Sequence, residues 1–343
     1  MKMKKLLTKL PALIRAGEPF LITGAPGIGK TDGITEAGEA ADAKVILMHP
    51  ITSDPTDFKG FPCLIKVDGE TEARFVTYGD LAKLLTATER TLFFIDDLGQ
   101  ASKAVQAAAM QLVLGRELNG NRISDHVTFG MASNRRSDKA GVVGIIQPLL
   151  SRITCIYELD VDVPAWLEWA YANNMPAELI AFVQYRPELL HKFDPNLVDS
   201  SGNDLVNQPC PRTVAAVGRL HTLFGNDLDF ADGKGAAGEA FATEYLSFLA
   251  MIDKLGDLPK RIAAGEDAQC PEDASVLFAL SACLSKMAAG NGCFPIIAKW
   301  VSDQMPGEFA ARFLKDVETQ APDVTERDGY VELSIKVNGF LSK

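Results

Sequence analysis

Hydrophobic residues in the first half of the chain form short apolar runs that alternate with stretches of helical spacing. Between residues 18 and 160 this alternation is typical of a parallel α/β sheet. The predicted strands are Phe20–Thr23, Lys44–Met48, Thr91–Ile95, Val127–Ala132 and Thr154–Tyr157. A hairpin is expected to interrupt this order, with strand-like segments at Leu64–Val67 and Arg74–Thr77 and turn residues at Asp68-Gly69-Glu70.

The second half of the chain is predominantly helical in pattern. The strand pattern stops after Asp160, so the predicted fold class is an α/β part followed by helices. Helices are predicted over 164–192, 213–256, Ala274–Ala289 and Phe309–Thr319, with loops at Asp194–Pro211 and Gly225–Gly238 and a short closing strand at Tyr330–Val337.

The first residues of the chain have a pattern of their own. Leu6, Leu10 and Ile14 follow helical spacing, and Lys9 and Pro11 interrupt the apolar residues between them. A secretory leader needs a longer unbroken apolar run, so we predict an amphipathic helix packed against the α/β part. No stretch of the sequence has the length of a membrane span.

Composition and charge narrow the functional classes. The chain has 343 residues, of which 47% are hydrophobic, enough for a sizeable core. A formal net charge of −11 argues against a broad nucleic-acid-binding surface. The six cysteines are scattered without a CxxC pair, which argues against zinc and a disulfide framework and fits a reducing, cytoplasmic location.

A glycine-rich segment follows the first predicted strand. Its residues are Gly24, Ala25, Pro26, Gly27, Ile28, Gly29, Lys30 and Thr31, and they fit the pattern G-x-x-x-x-G-K-[ST] in full. Glycines there let backbone N–H groups converge on phosphate oxygens at the start of a helix. Lys30 is expected to reach the β- and γ-phosphates of a nucleoside triphosphate, and Thr31 to place its hydroxyl on Mg²⁺. The alternative is a glycine-rich turn without function.

Two carboxylates follow the apolar run Leu92–Ile95, at the edge of the sheet where ligands bind in open α/β folds. Asp96 is expected to hold Mg²⁺ and Asp97 to polarise the attacking water. The alternative is that they cap a helix, since aspartate is favoured at that position.

Three further polar residues are candidates by their place in the chain. Asn134 follows the strand Val127–Ala132, where an amide can orient a water, although asparagine is also common in turns. Arg152 lies between apolar residues and is expected to contact the nucleotide of a neighbouring subunit or to form an intramolecular salt bridge. Arg212 is expected near a helix start, aimed at the nucleotide or simply solvated.

The order of these residues resembles that of the AAA+ ATPases and, more narrowly, of their MoxR branch. The resemblance implies that Gly24–Thr31 is the Walker A motif and Thr91–Asp97 the Walker B motif. It also implies that Asn134 is sensor 1, Arg152 the arginine finger and Arg212 sensor 2. ATP and Mg²⁺ are the implied cofactors.

The resemblance also implies a domain organisation. It assigns 1–160 to the nucleotide-binding core and 161–255 to a helical lid. The resemblance does not clearly cover 256–343, which the helical pattern predicts to be a helical C-terminal extension. The segment Asp54–Gly60 and the hairpin at 64–77 match the helix-2 insertion, which in relatives points toward the ring pore or the partner face.

Two positions depart from the family pattern. Asp97 replaces the usual Walker B glutamate and is one methylene shorter, which puts the rate of hydrolysis in question. Gly99-Gln100 replaces the family's Asn-Arg, which puts a ring contact in question.

Three functions fit the sequence. The leading hypothesis is an ATP-driven ring, a hexamer by resemblance, that remodels or activates a partner protein; MoxR relatives often work with a von Willebrand factor A domain. The second is a nucleic-acid motor or loader, which the acidic balance disfavours. The third is an ATP-gated binding module with little hydrolysis, which Asp97 motivates. The segment 256–343 is either a collar for oligomerisation or structural filling.

Overall fold

A five-stranded parallel sheet forms the centre of the first part of the molecule. Its strands are β1 (Phe20–Gly24), β2 (Lys44–Met48), β5 (Thr91–Ile95), β8 (Val127–Asn134) and β9 (Cys155–Leu159), in the spatial order β2-β5-β8-β1-β9. All neighbours pair in parallel. The sequence predicted all five strands, since strands covered on both faces are nearly continuous apolar runs.

The computed structural model describes residues 1–67, 70–138, 144–194, 196–197, 206–290 and 292–341. The chain divides into two units, Met1–Asp162 and Val163–Lys343. A further boundary near residue 255 stays a prediction.

Helices cover both faces of the sheet. In the first unit they are α1 (Met3–Ala16), α2 (Lys30–Ala40), α3 (Gly79–Thr86), α4 (Lys103–Gly115) and α5 (Gln147–Leu150). Side chains of β5 alternate between the faces, so that Leu92 and Phe94 join the core beneath α1 and α2 while Phe93 and Ile95 join the core beneath α3 and α4. The predicted amphipathic helix at the start of the chain is α1, and it buries Leu6, Leu10 and Ile14.

Two small hairpins extend from this core, β3–β4 (Phe61–Val67 and Glu70–Val76) and β6–β7 (Glu117–Leu118 and Asn121–Arg122). The first is the predicted hairpin, and its strands are longer than the sequence indicated. Of its expected turn residues, Asp68 and Gly69 lie outside the described residues, whereas Glu70 is not a turn residue but the first residue of β4, paired with Val67. Every side chain of β4 is exposed, and Leu64 of β3 is 77% exposed.

The second unit is helical throughout its described part. Its helices are α6 (Val163–Ala172), α7 (Ala177–Tyr185), α8 (Pro211–Phe224), α9 (Phe230–Ala237), α10 (Glu239–Lys254), α11 (Leu258–Ala263), α12 (Ala274–Gly290), α13 (Phe294–Gln304), α14 (Gly307–Gln320) and α15 (Tyr330–Leu341). Phe182 of α7 contacts the rings of Phe241, Tyr245 and Phe248 of α10. Half of the predicted loop Asp194–Pro211 lies outside the described residues, and its last residue, Pro211, is the first residue of α8.

Two of our predictions for this unit were wrong. The stretch Gly225–Gly238 is not one loop, because α9 begins within it behind a capping box between Asp229 and Asp232. Tyr330–Val337 is not a strand but the start of α15. Leu333 and Val337 are both buried and lie four residues apart, the spacing of one helix face.

A buried carboxylate joins three helices of the second unit. Asp316 of α14 accepts hydrogen bonds from Tyr171 of α6 at 2.7 Å and from Gln184 of α7 at 2.8 Å. Burial raises the pKa of Asp316, while these two hydrogen bonds and the charge of Arg312 act in the opposite direction. The hydrogen bonds connect α6 and α7, which precede residue 255 in the sequence, with α14, which follows it.

The close packing under α1 leads to a first prediction. A Cβ atom at Gly130 of β8 would lie 2.8 Å from the Phe20 ring and 3.1 Å from a Leu92 methyl group. We therefore expect Gly130→Ala to lower the free energy of unfolding by about 1–3 kcal/mol, measured by urea denaturation. The control is Gly115→Ala at the end of α4, where the nearest atom would be 3.8 Å away. Equal midpoints for both variants would contradict this packing.

The Asp316 site leads to a second prediction. Because the pKa of Asp316 is higher in the folded than in the unfolded chain, the folded chain keeps this proton to higher pH. The stability that this group contributes is therefore greatest below the unfolded pKa, about 4, and falls as pH rises toward the folded pKa. In Asp316→Asn the amide oxygen accepts the same hydrogen bonds without titrating, so its urea midpoint should fall less than that of wild type as pH rises.

The control residue for this experiment has a pKa shift of the opposite sign. The exposed Asp323 has a pKa lowered by the hydrogen bond from Arg327, so it contributes stability at high pH that is lost on acidification. Asp323→Asn should therefore not reproduce the change seen with Asp316→Asn. Parallel pH curves for wild type and Asp316→Asn would show that the buried carboxyl titrates normally.

Candidate nucleotide site

The glycine-rich segment forms a loop between β1 and α2. Gly27 and Gly29 have φ of +72° and +86°, a region that favours glycine, and α2 begins at Lys30. Gly24 lies in register with Asn134 of β8 and with Leu159 of β9. A Cβ atom at Gly24 would lie 2.7 Å from the Leu159 carbonyl oxygen, so only glycine fits there without movement of the strands.

The Lys30 side chain turns back onto this loop and is 7% exposed. Its Nζ donates hydrogen bonds to the carbonyl oxygens of Gly24 at 3.1 Å and Ala25 at 2.8 Å. It also donates to Asn134 Oδ1 at 2.6 Å. The ammonium group is thus held between the loop and the end of the adjacent strand β8.

A hydroxyl and a carboxylate lie together beside this lysine. Thr31 Oγ1 donates to Asp96 Oδ2 at 2.6 Å, and the backbone N–H of Asp97 donates to Asp96 Oδ1 at 2.9 Å. Asp96 is buried directly after β5, and its own N–H donates to the Met48 carbonyl oxygen. The two predicted Mg²⁺ residues are therefore in contact, although they are 65 positions apart in sequence.

Asp97 completes a chain of polar contacts at this edge. Asn134 Nδ2 donates to Asp97 Oδ1 at 3.3 Å, so the Asn134 amide lies between the Lys30 ammonium and the Asp97 carboxylate. Asp97 has φ 52° and ψ 34°, the left-handed conformation that aspartate tolerates better than most residues. Its half-buried carboxylate is not part of a helix cap hydrogen bond, which removes support for the capping alternative.

The two predicted arginines are both exposed. Arg152 follows α5, and no side chain in the described part of the chain forms an ion pair or hydrogen bond with its guanidinium, so the intramolecular salt bridge is not formed there. Arg212 lies in the first turn of α8 in the second unit. The catalytic and sensor roles of both arginines stay predictions.

Sequence reasoning missed two residues that support the site. Met3 of α1 packs against α2, where a Cβ atom at Gly33 would lie 2.7 Å from the Met3 sulfur. The signal that was overlooked is its spacing from Leu6 and Leu10, which places all three residues on one helix face. Arg135 follows Asn134 and forms ion pairs with Asp138 and Glu158, which link the segment after β8 to β9. No pattern in the sequence pointed to these pairs.

The residues present fit a magnesium nucleotide. A hydroxyl and a carboxylate oxygen are hard donors of the kind that Mg²⁺ takes together with phosphate oxygens and waters. The lysine ammonium and the helix N-terminus supply positive charge for phosphates on the same side of the loop. Thr31 and Asp96 would hold the metal ion.

Comparisons with known proteins add little to this geometry. No protein-family model and no curated protein matches the chain. The chain is similar to a mutant of RuvB from Thermotoga maritima, with 18% identity and a TM-score of 0.39 over 82% of this chain and 80% of that one. It is also similar to NtrX from Brucella abortus (15%, TM-score 0.41, 77% of this chain and 65% of that one) and to NtrX in complex with ATP (13%, 0.41, 98% and 67%).

The fold is therefore defined by the strand order of the first unit and the helices of the second unit. It is a five-stranded parallel α/β core followed by a helical C-terminal part. No helix in the described ranges is long and apolar enough to cross a membrane.

Proposed function

We propose that the chain is a Mg²⁺-dependent ATPase of the AAA+ class. The observation that carries this proposal is the pair of contacts at one sheet edge, Thr31 with Asp96 and Lys30 with Asn134, both beside a complete phosphate-binding loop. The residues come from β5, β8 and the start of α2, so their meeting depends on the fold and not on sequence proximity.

Each group has a distinct role in this proposal. Lys30 leaves its loop carbonyls to bind phosphate oxygens, since an ammonium has three donors and needs anionic acceptors more than neutral ones. Asp97 accepts a proton from the attacking water, and Asn134 orients that water from the adjacent strand. Mg²⁺, when bound, neutralises charge on the phosphates. The preference for ATP over GTP follows from the family resemblance alone.

Arg152 acts on a second subunit in this proposal. It is exposed and forms no ion pair among the described residues, as expected of an arginine that contacts a nucleotide in trans. Such an arginine stabilises charge that develops as the phosphoryl group is transferred. The active form is then a homo-oligomeric ring, with six subunits by resemblance. The role of sensor 2 is assigned to Arg212, also by resemblance.

The work of this ring is the remodelling or activation of a partner protein, as in the MoxR branch. The chain is acidic, with a net charge of −11, which disfavours nucleic acid as the partner. A von Willebrand factor A domain is the partner that the resemblance implies. ATPase stimulation by DNA or RNA that is lost as salt rises would instead support the nucleic-acid motor.

The metal site is tested by removing one hydroxyl. We expect Thr31→Val to weaken binding of a fluorescent ATP analogue by about tenfold in Mg²⁺, because one hydroxyl ligand is lost, and to leave binding in EDTA nearly unchanged. Thr35→Val is the matched control, because Thr35 Oγ1 donates to the Thr31 carbonyl oxygen and not to Asp96. Equal losses with and without Mg²⁺ would remove Thr31 from the metal site.

The trans role of Arg152 is tested by comparing turnover with binding. We expect Arg152→Ala to lower ATP turnover by at least about a thousandfold while changing ATP affinity little, because its contact matters most in the transition state. Turnover is followed by phosphate release on the assembled protein. The control is Arg122→Ala, because Arg122 lies on the hairpin β6–β7, is exposed and forms an ion pair with Asp125. Wild-type turnover in Arg152→Ala would disprove the assignment.

A further inference from the structure

One fully buried amide lies in the middle of the first unit. Gln106 of α4 has no exposed surface, although its neighbours Val105, Ala109 and Leu112 on the inner side of the helix are apolar. An amide buried in such surroundings is unfavourable unless its hydrogen bonds are made inside the protein. A residue of this kind therefore indicates a polar connection that an apolar side chain could not make.

Gln106 makes three hydrogen bonds to backbone groups on two segments. Its Nε2 donates to the carbonyl oxygens of Ala101 at 3.1 Å and Gly144 at 2.8 Å. Its Oε1 accepts from the N–H of Ile146 at 3.1 Å. Both amide donors are used, and the two acceptors and one donor around the side chain fix which end is oxygen.

The first segment begins at the proposed catalytic carboxylate. Asp97 opens a short 3₁₀ turn, Leu98–Gln100, in which the Gln100 N–H donates to the Asp97 carbonyl oxygen. The turn ends at Ala101, which is fully buried. This hydrogen-bonded turn thus fixes the position of the Ala101 carbonyl oxygen relative to Asp97.

The second segment leads to the proposed arginine finger. Ile146 precedes α5 and accepts hydrogen bonds from the N–H groups of Leu149 and Leu150. Leu149 is fully buried in the same core as Leu98 and Ala101. Arg152 follows at once, with its own N–H donating to the Leu149 carbonyl oxygen.

We propose that Gln106 is a positioning residue that couples the segment after Asp97 to the segment carrying Arg152. The proposal rests on the proposed function, because it gives each subunit's Arg152 its place toward the neighbouring nucleotide. Leu149 holds the segment by packing, which resists separation but allows sliding. The two hydrogen bonds of Gln106 with Gly144 and Ile146 fix its register, since a shift of α5 would leave these two half-buried backbone groups unpaired.

The test variant is Gln106→Met, which keeps a side chain of similar length and removes all three hydrogen bonds. We expect ATP turnover to fall between about tenfold and a hundredfold, as for a misplaced catalytic group, with little change in ATP affinity. The control is Leu112→Val, which removes buried volume six positions further along the same helix without removing a polar contact. It should lower stability and leave turnover near wild type.

Mixed rings separate positioning from general damage. A Gln106→Met subunit keeps its own Lys30, Asp97 and Asn134, and lacks only a well-placed Arg152 for its neighbour. Co-expression with Asp97→Asn subunits, which supply Arg152 but have no active site of their own, should therefore restore turnover. The reference is the turnover of mixed rings of Arg152→Ala and Asp97→Asn subunits. Both mixtures are isolated through two different affinity tags.

The outcomes of the mixing experiment are distinct. Recovery of both mixtures supports the proposal. Recovery of the Arg152→Ala mixture alone overturns it, because Gln106→Met would then have damaged its own site. Recovery of neither shows that Arg152 does not act in trans, so the trans role of Arg152 and the catalytic consequence of Gln106 are both overturned.

Hydrogen exchange tests the contact itself without reference to turnover. In Gln106→Met the N–H of Ile146 loses its acceptor, and peptides covering 146–152 should exchange at least about tenfold faster than in wild type. Peptides of α2 and β5 serve as the internal reference and should not change. Unchanged exchange at 146–152 would show that Gln106 does not hold this segment.

Discussion

The site depends on the register of three parallel strands at one edge of the sheet. β1 lies between β8 and β9, and its last residue Gly24 is level with Asn134 on one side and Leu159 on the other. Parallel strands end together, so the loop after β1, the amide after β8 and the carboxylates after β5 reach the same place. A slip of one residue in any of these pairings would turn the polar side chains to the wrong face.

The same edge shows how buried polar groups are accommodated in this fold. Lys30, Asn134 and Asp96 are buried and Thr31 is half-buried, and each bonds to another of the set or to the loop. Buried groups that satisfy one another must all be present for any to be stable. The buried amide of Gln106 on α4 is likewise satisfied by hydrogen bonds, in its case with backbone groups. Polar contacts inside the first unit therefore connect the parts that the proposed ATP hydrolysis requires.

Local sequence patterns predicted much of the fold, and the predictions that failed did so for physical reasons. Buried strands such as Thr91–Ile95 and the glycine-rich loop carry their own patterns, and both were predicted correctly. The loop expected at Gly225–Gly238 contains α9, because capping by Asp229 and packing overrode the poor helix propensity of its glycines. The partners of Gln106 lie up to 40 positions away, and no local pattern identifies contacts over that distance.

The backbone at Asp97 explains why its side chain is short. With φ at 52° the chain reverses directly after β5, in a conformation that costs most residues about 1 kcal/mol and that glycine, asparagine and aspartate tolerate best. Aspartate is the one acid in that group. A protein with glutamate here would have to leave the strand by a different turn or carry the strain, so the missing methylene reflects the geometry of the main chain.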